Sequence, residues 1–437
     1  MRSLPPSWTQ NKVGELFYSF SGGTPSKSRP EYWNGSIPWI SSGEFNSDVI
    51  TEGTEFISKL GLENSSAKLC RPGSVIVVVR SGILKHTLPV ALVGKELAIN
   101  QDIKCFDSGN DDLNRWLFFS LANSSRQILS LNREGTTVQS VKYDTLKEHE
   151  LAIPPLNEQG RIVAKLEELL SRVNAAQDRL AIIPHIFKRF RQSVLNAAYT
   201  GLLIEDLENG NGKWNKVTLG EVTRELVTGP FGSSLHKSDY VIDGIPVINP
   251  TNLLNGKIVP SPTMSVDELT KRRLSRYILK YNDIVVARRG ELGRCALVSK
   301  TEAGWLCGTG AAILRPNKTA LPEYIQFVLS SPAGRSYLTE RAVGSTMANL
   351  NQRVFLAMPL LLPSLVEQRE IVRRVNALFK TAEALEVRYG KAKTHVDKLS
   401  QSILGKAFRG ELVPQDPNDE PASTLIERIR HQRNGTR

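Results

Sequence analysis

The sequence predicts an α/β fold in which two pseudo-repeated, mixed α/β domains are joined by two long antiparallel coiled-coil helices. Three observations predict it. The chain has 437 residues, more than one hydrophobic core serves, so two or three domains are expected. Residues 154–203 repeat without a gap as 363–412: Gln159 and Gln368, and equally Gly201 and Gly410, lie 209 residues apart. Each copy carries apolar residues at alternating spacings of four and three, the mark of a coiled-coil seam.

The elements follow in order: a first variable domain over 1–153, a helical segment over 154–205, a second variable domain over 206–362, a second helical segment over 363–413, and a tail with a short helix over 414–437. Each variable domain mixes buried-strand runs, Val75 to Val79 and Ile284 to Ala287, with helical stretches such as Leu113–Leu121 and Pro322–Leu329. They match one another loosely, with Trp8/Trp214, Gly14-Glu15/Gly220-Glu221 and Ile37-Pro38/Ile245-Pro246 in the same order. Divergent domains on one duplicated frame are expected to recognise different things.

In the first helical segment the seam runs through Ile162, Leu166, Leu169, Val173 and Leu180. In the second it runs through Ile371, Val375, Leu378, Leu385 and Val396. Pro154 and Pro363 stop the strand before each helix, and Gly201 and Gly410 stand where a left-handed cap ends it. Pro184 falls inside the first helix and predicts a kink, because proline removes one backbone hydrogen bond. The helices are expected to be antiparallel, since the chain must return from the second domain towards the first. Packing of each helix on its neighbouring domain alone is the alternative.

Composition narrows the function. The formal net charge is +12, with 56 Lys and Arg against 44 Asp and Glu; such a surface gains free energy by displacing counterions from a polyanion, nucleic acid first. No apolar run approaches the roughly 18 residues that span a bilayer. The start MRSLPPSWTQ lacks the apolar core of a secretory signal, so a cytoplasmic address is expected. The four cysteines form no C-x-x-C pair and are expected to be reduced and structural.

No phosphate loop, H-E-x-x-H or G-x-S-x-G motif occurs. Two fragments touch on methyl-transfer chemistry. Phe20-Ser21-Gly22-Gly23-Thr24 has the glycines of an S-adenosylmethionine loop without an evident βα unit after it. Asn249-Pro250-Thr251-Asn252 has the start of an adenine-holding loop without the aromatic platform for a flipped base.

Candidate nucleic-acid contacts fall in several groups. Arg80, and Arg288 with Arg289, close the buried runs of the two domains, where a guanidinium can take two acceptors of guanine, take a phosphate, or form a surface salt bridge. Ser21, Gly22, Gly23, Thr24 and Lys27, and likewise Gly229, Phe231, Gly232, Ser233, Ser234 and Lys237, combine glycines, hydroxyls and a lysine suited to phosphate, or simply to turns. Lys271, Arg272, Arg276, Arg288, Arg289 and Arg294 belong to a basic stretch over 265–294 that is either phosphate-facing or a solvated helix face. Lys85 and Asn249 add a charge and an amide. Thr136, Thr137 and Gln139, with Ser345, Thr346 and Asn349, supply polar groups for base edges or for capping.

The motifs themselves resemble a known family. P-P-L-x-E-Q-x-x-I-V at Pro154–Val163, its copy at Pro363–Val372, and the paired Q-S-[VI]-L-x-x-A-[YF]-x-G endings are similar to the conserved regions of Type I restriction-modification specificity subunits. Ile183 through Leu195, Gly229 through Leu235 and Pro414 through Ser423 are similar to segments of the Type IA group, so the resemblance covers essentially the whole chain. One departure is Lys393, which stands where the repeat would match Pro184. The resemblance implies a non-catalytic subunit whose two target recognition domains read the halves of a split site in double-stranded DNA. It implies two adenine methyltransferase subunits and ATP-driven motor-nuclease (restriction) subunits as partners, and no membrane. S-adenosylmethionine, ATP and magnesium belong to those partners, with no cofactor on this chain. A self-sufficient DNA methyltransferase and a coiled-coil adaptor without DNA are the competing readings.

Overall fold

Both repeat copies fold as long helices, Leu156–Thr200 with 45 residues and Leu365–Ala407 with 43. The computed structural model describes residues 4–131, 140–206, 214–231, 234–342 and 350–435. The chain divides into two units, residues 1–180 with 392–437, and residues 181–391. Each long helix therefore contributes one end to each unit.

The repeated Glu-Gln pair explains how the helices start. Gln159 donates its amide to the Pro154 carbonyl at 2.8 Å and Gln368 does the same to Pro363 at 2.9 Å, so each glutamine holds the entry turn. The preceding glutamate accepts the indole N–H of its unit's tryptophan: Trp8 to Glu158 at 3.0 Å, Trp214 to Glu367 at 3.1 Å. Four residues matched across the repeat thus perform the same two tasks twice. At the far ends Gly201 and Gly410 adopt φ of +85° and +70°, which only glycine takes without strain. The first helix continues through Pro184.

Within the second unit the helices run antiparallel. Phe187 meets the Tyr389 ring edge-on at 6.3 Å, and one turn further along, Arg191 bonds Glu386 one turn earlier, at 3.1 Å. At their ends the helices also enter the domain cores. Ile162 and Leu166 share a core with Trp116 and with Ala407 of the second helix, while Ile371 and Val375 share one with Tyr324 and with Val194 of the first. Val173 is buried, and Leu169, Leu180, Leu378 and Val396 are half-buried. Leu385 corrects the expected seam, being 47% exposed. A helix turns once in 3.6 residues, so after Ala382 the inward position passes to Glu386, where the Arg191 guanidinium takes it up.

The large sheets of the two units share a four-strand order, to which the first unit adds a fifth strand. The first holds a five-stranded sheet in the order Tyr18–Ser21, Ile103–Asp107, Val75–Val78, Val90–Val93, Val49–Ile50. The second holds the matching order Thr223–Thr228, Ala311–Pro316, Ile284–Ala287, Cys295–Leu297. A second sheet in each unit contains one parallel pairing, Ile40 with Ile99 and Ile248 with Cys307. The central strands are buried at every position, as their unbroken valine and isoleucine runs require. Helix Asp111–Ser130 covers the first sheet, burying Trp116 and Leu117; Pro322–Ser330 covers the second, burying Tyr324 and Ile325.

Candidate nucleic-acid interface

At one end of each large sheet three strands finish together, and the segments that hold Ser21–Thr24 and Arg80 in the first unit, and Gly229, Arg288 and Arg289 in the second, adjoin that end. In the first unit Lys104 pairs with Ser21 on one side and Val77 on the other, so the Ser21–Lys27 loop, the turn before Ile103 and the exit of Val75–Val78 are neighbours. In the second, Ala312 pairs with Thr228 and Val286 and gathers the corresponding segments.

Backbone bonds align the arginines. The Val79 N–H donates to the Asp102 carbonyl and Val141 donates to Val79, both at 2.8 Å; in the second unit Arg288 donates to Gly310 at 2.9 Å and Leu350 donates to Arg288 at 3.1 Å. Arg288 therefore stands where the first unit has Val79, and Arg289 where it has Arg80. Arg80 and Arg289 are exposed, and among the described residues neither forms an ion pair, so the salt-bridge reading finds no partner there. Arg288 is a correction: only 8% exposed, it donates Nε to the Leu350 carbonyl at 3.0 Å. Burial, with the charge of Arg289 beside it, holds its pKa below the usual guanidinium range. It braces the interior.

The glycine loops serve packing. A Cβ on Gly22 would stand 1.8 Å from the Ile99 carbonyl oxygen, one on Gly23 2.0 Å from the Ser66 hydroxyl, and one on Gly229 2.0 Å from the Gly308 carbonyl oxygen. These residues are glycine because backbone passes within contact distance of them. Around them Ser21 donates to the Gln101 carbonyl at 3.3 Å and Thr24 to the Gln101 side chain at 2.6 Å. Lys27 pairs with Glu55 at 3.0 Å over the Trp33 ring. Phe231 is 64% exposed and Lys237 is exposed, while Ser234 donates its backbone N–H to Phe231. Asn249 is taken up locally: its N–H donates to Asn252 at 2.9 Å, and its side chain crowds Gly308.

Of the basic stretch, Lys271 pairs with Glu268 at 3.3 Å and Arg294 donates Nε to Glu291 at 2.9 Å. Arg272 and Arg276 are exposed, as is Lys85 in a short turn of the first unit. Thr136, Thr137, Gln139, Gly232, Ser233, Ser345, Thr346 and Asn349 lie outside the described residues.

Sequence reading missed Lys104, Tyr143 and Lys147. Their ammonium groups lie 4.9 and 4.2 Å from the centre of the one tyrosine ring. Lys104 lies in the strand Ile103–Asp107, far from the others in sequence; Lys147 follows Tyr143 by one helical turn, so only that half of the group is marked locally.

Among the described residues no cluster of three or more His, Cys, Asp or Glu side chains is placed to hold a metal, and no helix is long and apolar enough to cross a membrane. The four cysteines are free and buried; burial pushes the Cys295 thiol up to about 11 and the Cys307 thiol up to about 12.

Comparison with known proteins agrees with this duplicated architecture. The family model of the Type I restriction modification DNA specificity domain matches twice, over residues 5–183 and 211–389. The EcoBI specificity subunit of Escherichia coli is 30% identical over 357 residues, covering 77% of this chain and 75% of that protein. The EcoKI specificity subunit of Escherichia coli strain K12 is 32% identical over 332 residues, covering 72% and 70%. Two solved structures share the fold. One comes from work on complex assembly and conformational transition of the type I R-M system, with a TM-score of 0.71 at 22% identity over 94% of this chain and 100% of that one. The other is the HsdS subunit from Thermoanaerobacter tengcongensis, with a TM-score of 0.55 at 21% identity over 94% and 99%.

Proposed function

This chain belongs to the Type I restriction modification DNA specificity family, and from that premise we propose that it is the DNA-reading subunit of a restriction-modification complex. It recognises a bipartite site in double-stranded DNA, one half through each unit. It performs no chemistry itself. Two adenine methyltransferase subunits and the motor-nuclease subunits dock on it and bring S-adenosylmethionine, ATP and magnesium, and the complex works in the cytoplasm.

One observation carries the bipartite reading: Arg80 and Arg289 stand at the same point of two large sheets that share a four-strand order and differ in side chains. A repeated frame holding different readers is the arrangement a split, asymmetric site requires. An exposed guanidinium without a carboxylate partner among the described residues has its fork of N–H donors available for guanine or phosphate.

The test is to map methylated adenines genome-wide in cells carrying the chain with its methyltransferase partner. The expected result is one two-part sequence with a constant gap, and no methylation when either protein is omitted. Methyl transfer by the purified chain alone would replace this reading with that of a self-sufficient enzyme. Methylation independent of the chain, together with no DNA binding by it, would leave a coiled-coil adaptor.

A further inference from the structure

We infer that Lys104, Tyr143 and Lys147 form a seat for one backbone phosphate of the DNA held by the first unit, an inference that rests on the DNA-reading role proposed above. Tyr143 is fixed from two sides: its hydroxyl donates to Ser19 at 2.5 Å and its ring packs 6.1 Å from that of Phe106. Lys104 and Lys147, both half-buried, share that ring. Among the described residues neither ammonium forms an ion pair.

Two cations on one ring repel each other, and the negative face of the ring offsets only part of that. An anion seated between them removes the repulsion and satisfies both sets of N–H donors. The charges that bear on Lys104 fit this account. Burial lowers its pKa, Asp102 opposes that, and Lys147 lowers it further, so its ammonium lacks a sufficient counter-charge.

Position favours phosphate over a protein carboxylate. Lys104 lies beside Ser21 in the sheet, and Ser140, three residues before Tyr143, bridges Arg80. The seat therefore shares the sheet end where Arg80 is exposed. The second unit lacks it. Ala312 takes the place of Lys104, as its pairing with Thr228 and Val286 shows. Leu356 takes that of Lys147: a Cβ on Gly14 would meet Lys147 Cβ at 3.1 Å, and one on Gly220 would meet Leu356 Cβ at 3.4 Å. By the same alignment Gln352 replaces Tyr143.

The experiment uses the full chain with its methyltransferase partner and the duplex identified by methylation mapping, with affinity measured between 50 and 200 mM salt. Each neutralised phosphate adds about 0.9 to the slope of log affinity against log salt. The Lys104→Gln/Lys147→Gln variant should lose about 0.9 of the parent's slope, the share of one phosphate, and keep the parent's base preference at both half-sites. Lys104→Arg/Lys147→Arg, which keeps both charges, should restore the slope. A folded glutamine variant with the parent's slope and affinity would overturn the seat while leaving the DNA-reading role standing, because the parent binds. A changed base preference would make these residues base readers instead. Weakened methyltransferase association with intact DNA binding would make them a protein contact. A parent complex that binds no DNA would sink the underlying reading itself.

Discussion

Arg288 and Arg289 are adjacent in sequence and opposite in environment, so truncating each in turn should separate stability from recognition. Arg288→Ala removes the donor that serves the buried Leu350 carbonyl at 3.0 Å. Leaving a buried acceptor unpaired costs about 1–3 kcal/mol. Release of a charge that burial and Arg289 disfavour returns part of this, so a net loss of about 1–2 kcal/mol is expected. For a unit of this size that lowers Tm by roughly 2–8 °C. Arg289→Ala removes an exposed side chain without an ion-pair partner among the described residues, so stability should change by less than about 0.5 kcal/mol. Its DNA affinity should fall by about 1–3 kcal/mol if the guanidinium takes a guanine bidentately, roughly 5- to 150-fold. The loss should be confined to one position of the half-site read by the second unit. Thermal unfolding of both variants, with binding to duplexes substituted one base pair at a time, measures all of this. The reasoning is refuted if Arg289→Ala binds the cognate site as the parent does, or if Arg288→Ala keeps the parent's Tm and loses recognition.

Three further outcomes are expected. Arg315→Ala should destabilise the second unit by about 3–5 kcal/mol, because it strips buried Asp283 of a two-point partner at 2.9 and 3.1 Å; urea unfolding of the full chain reads it. Asp107 is pushed up by burial, but hydrogen bonds from Arg71 and Asn114 outweigh this and hold it at about 2. Its folded pKa is thus below the unfolded value near 3.9, so its contribution is present above about pH 4 and is lost as pH falls towards 2. Asp107→Asn should flatten the decline of the urea midpoint over that window. Thiol reagents at neutral pH should leave Cys295 and Cys307 unmodified in the folded chain and label both after denaturation, since burial holds both as thiols.

What the amino-acid sequence determined by itself is whatever depends on near neighbours or on repetition. The 209-residue repeat, the helix bounds set by Pro154, Pro363, Gly201 and Gly410, and the strand runs Val75–Val78 and Ile284–Ala287 follow from spacing and backbone preference alone. Trp8 and Trp214 were visible as matched residues, but their pairing with Glu158 and Glu367 needed the fold.

Tertiary structure decided which way equivalent-looking residues face. Strand side chains alternate, and where a run ends the side of exit depends on the segment that returns beside it. Leu350 receives Arg288, and nothing local separates Arg288 from Arg289. The glycines of both loops look suited to a ligand until Ile99, Ser66 and Gly308 occupy the space in front of them. Leu385 kept the heptad spacing and still turned outward, because a straight helix drifts relative to a seven-residue repeat and Arg191 rewards Glu386 at the inward position. Lys104 and Lys147 meet only because sheet register and a short helix bring two distant stretches of chain to one tyrosine. Such contacts are fixed by long-range pairing, which leaves no period, cap or motif in the sequence.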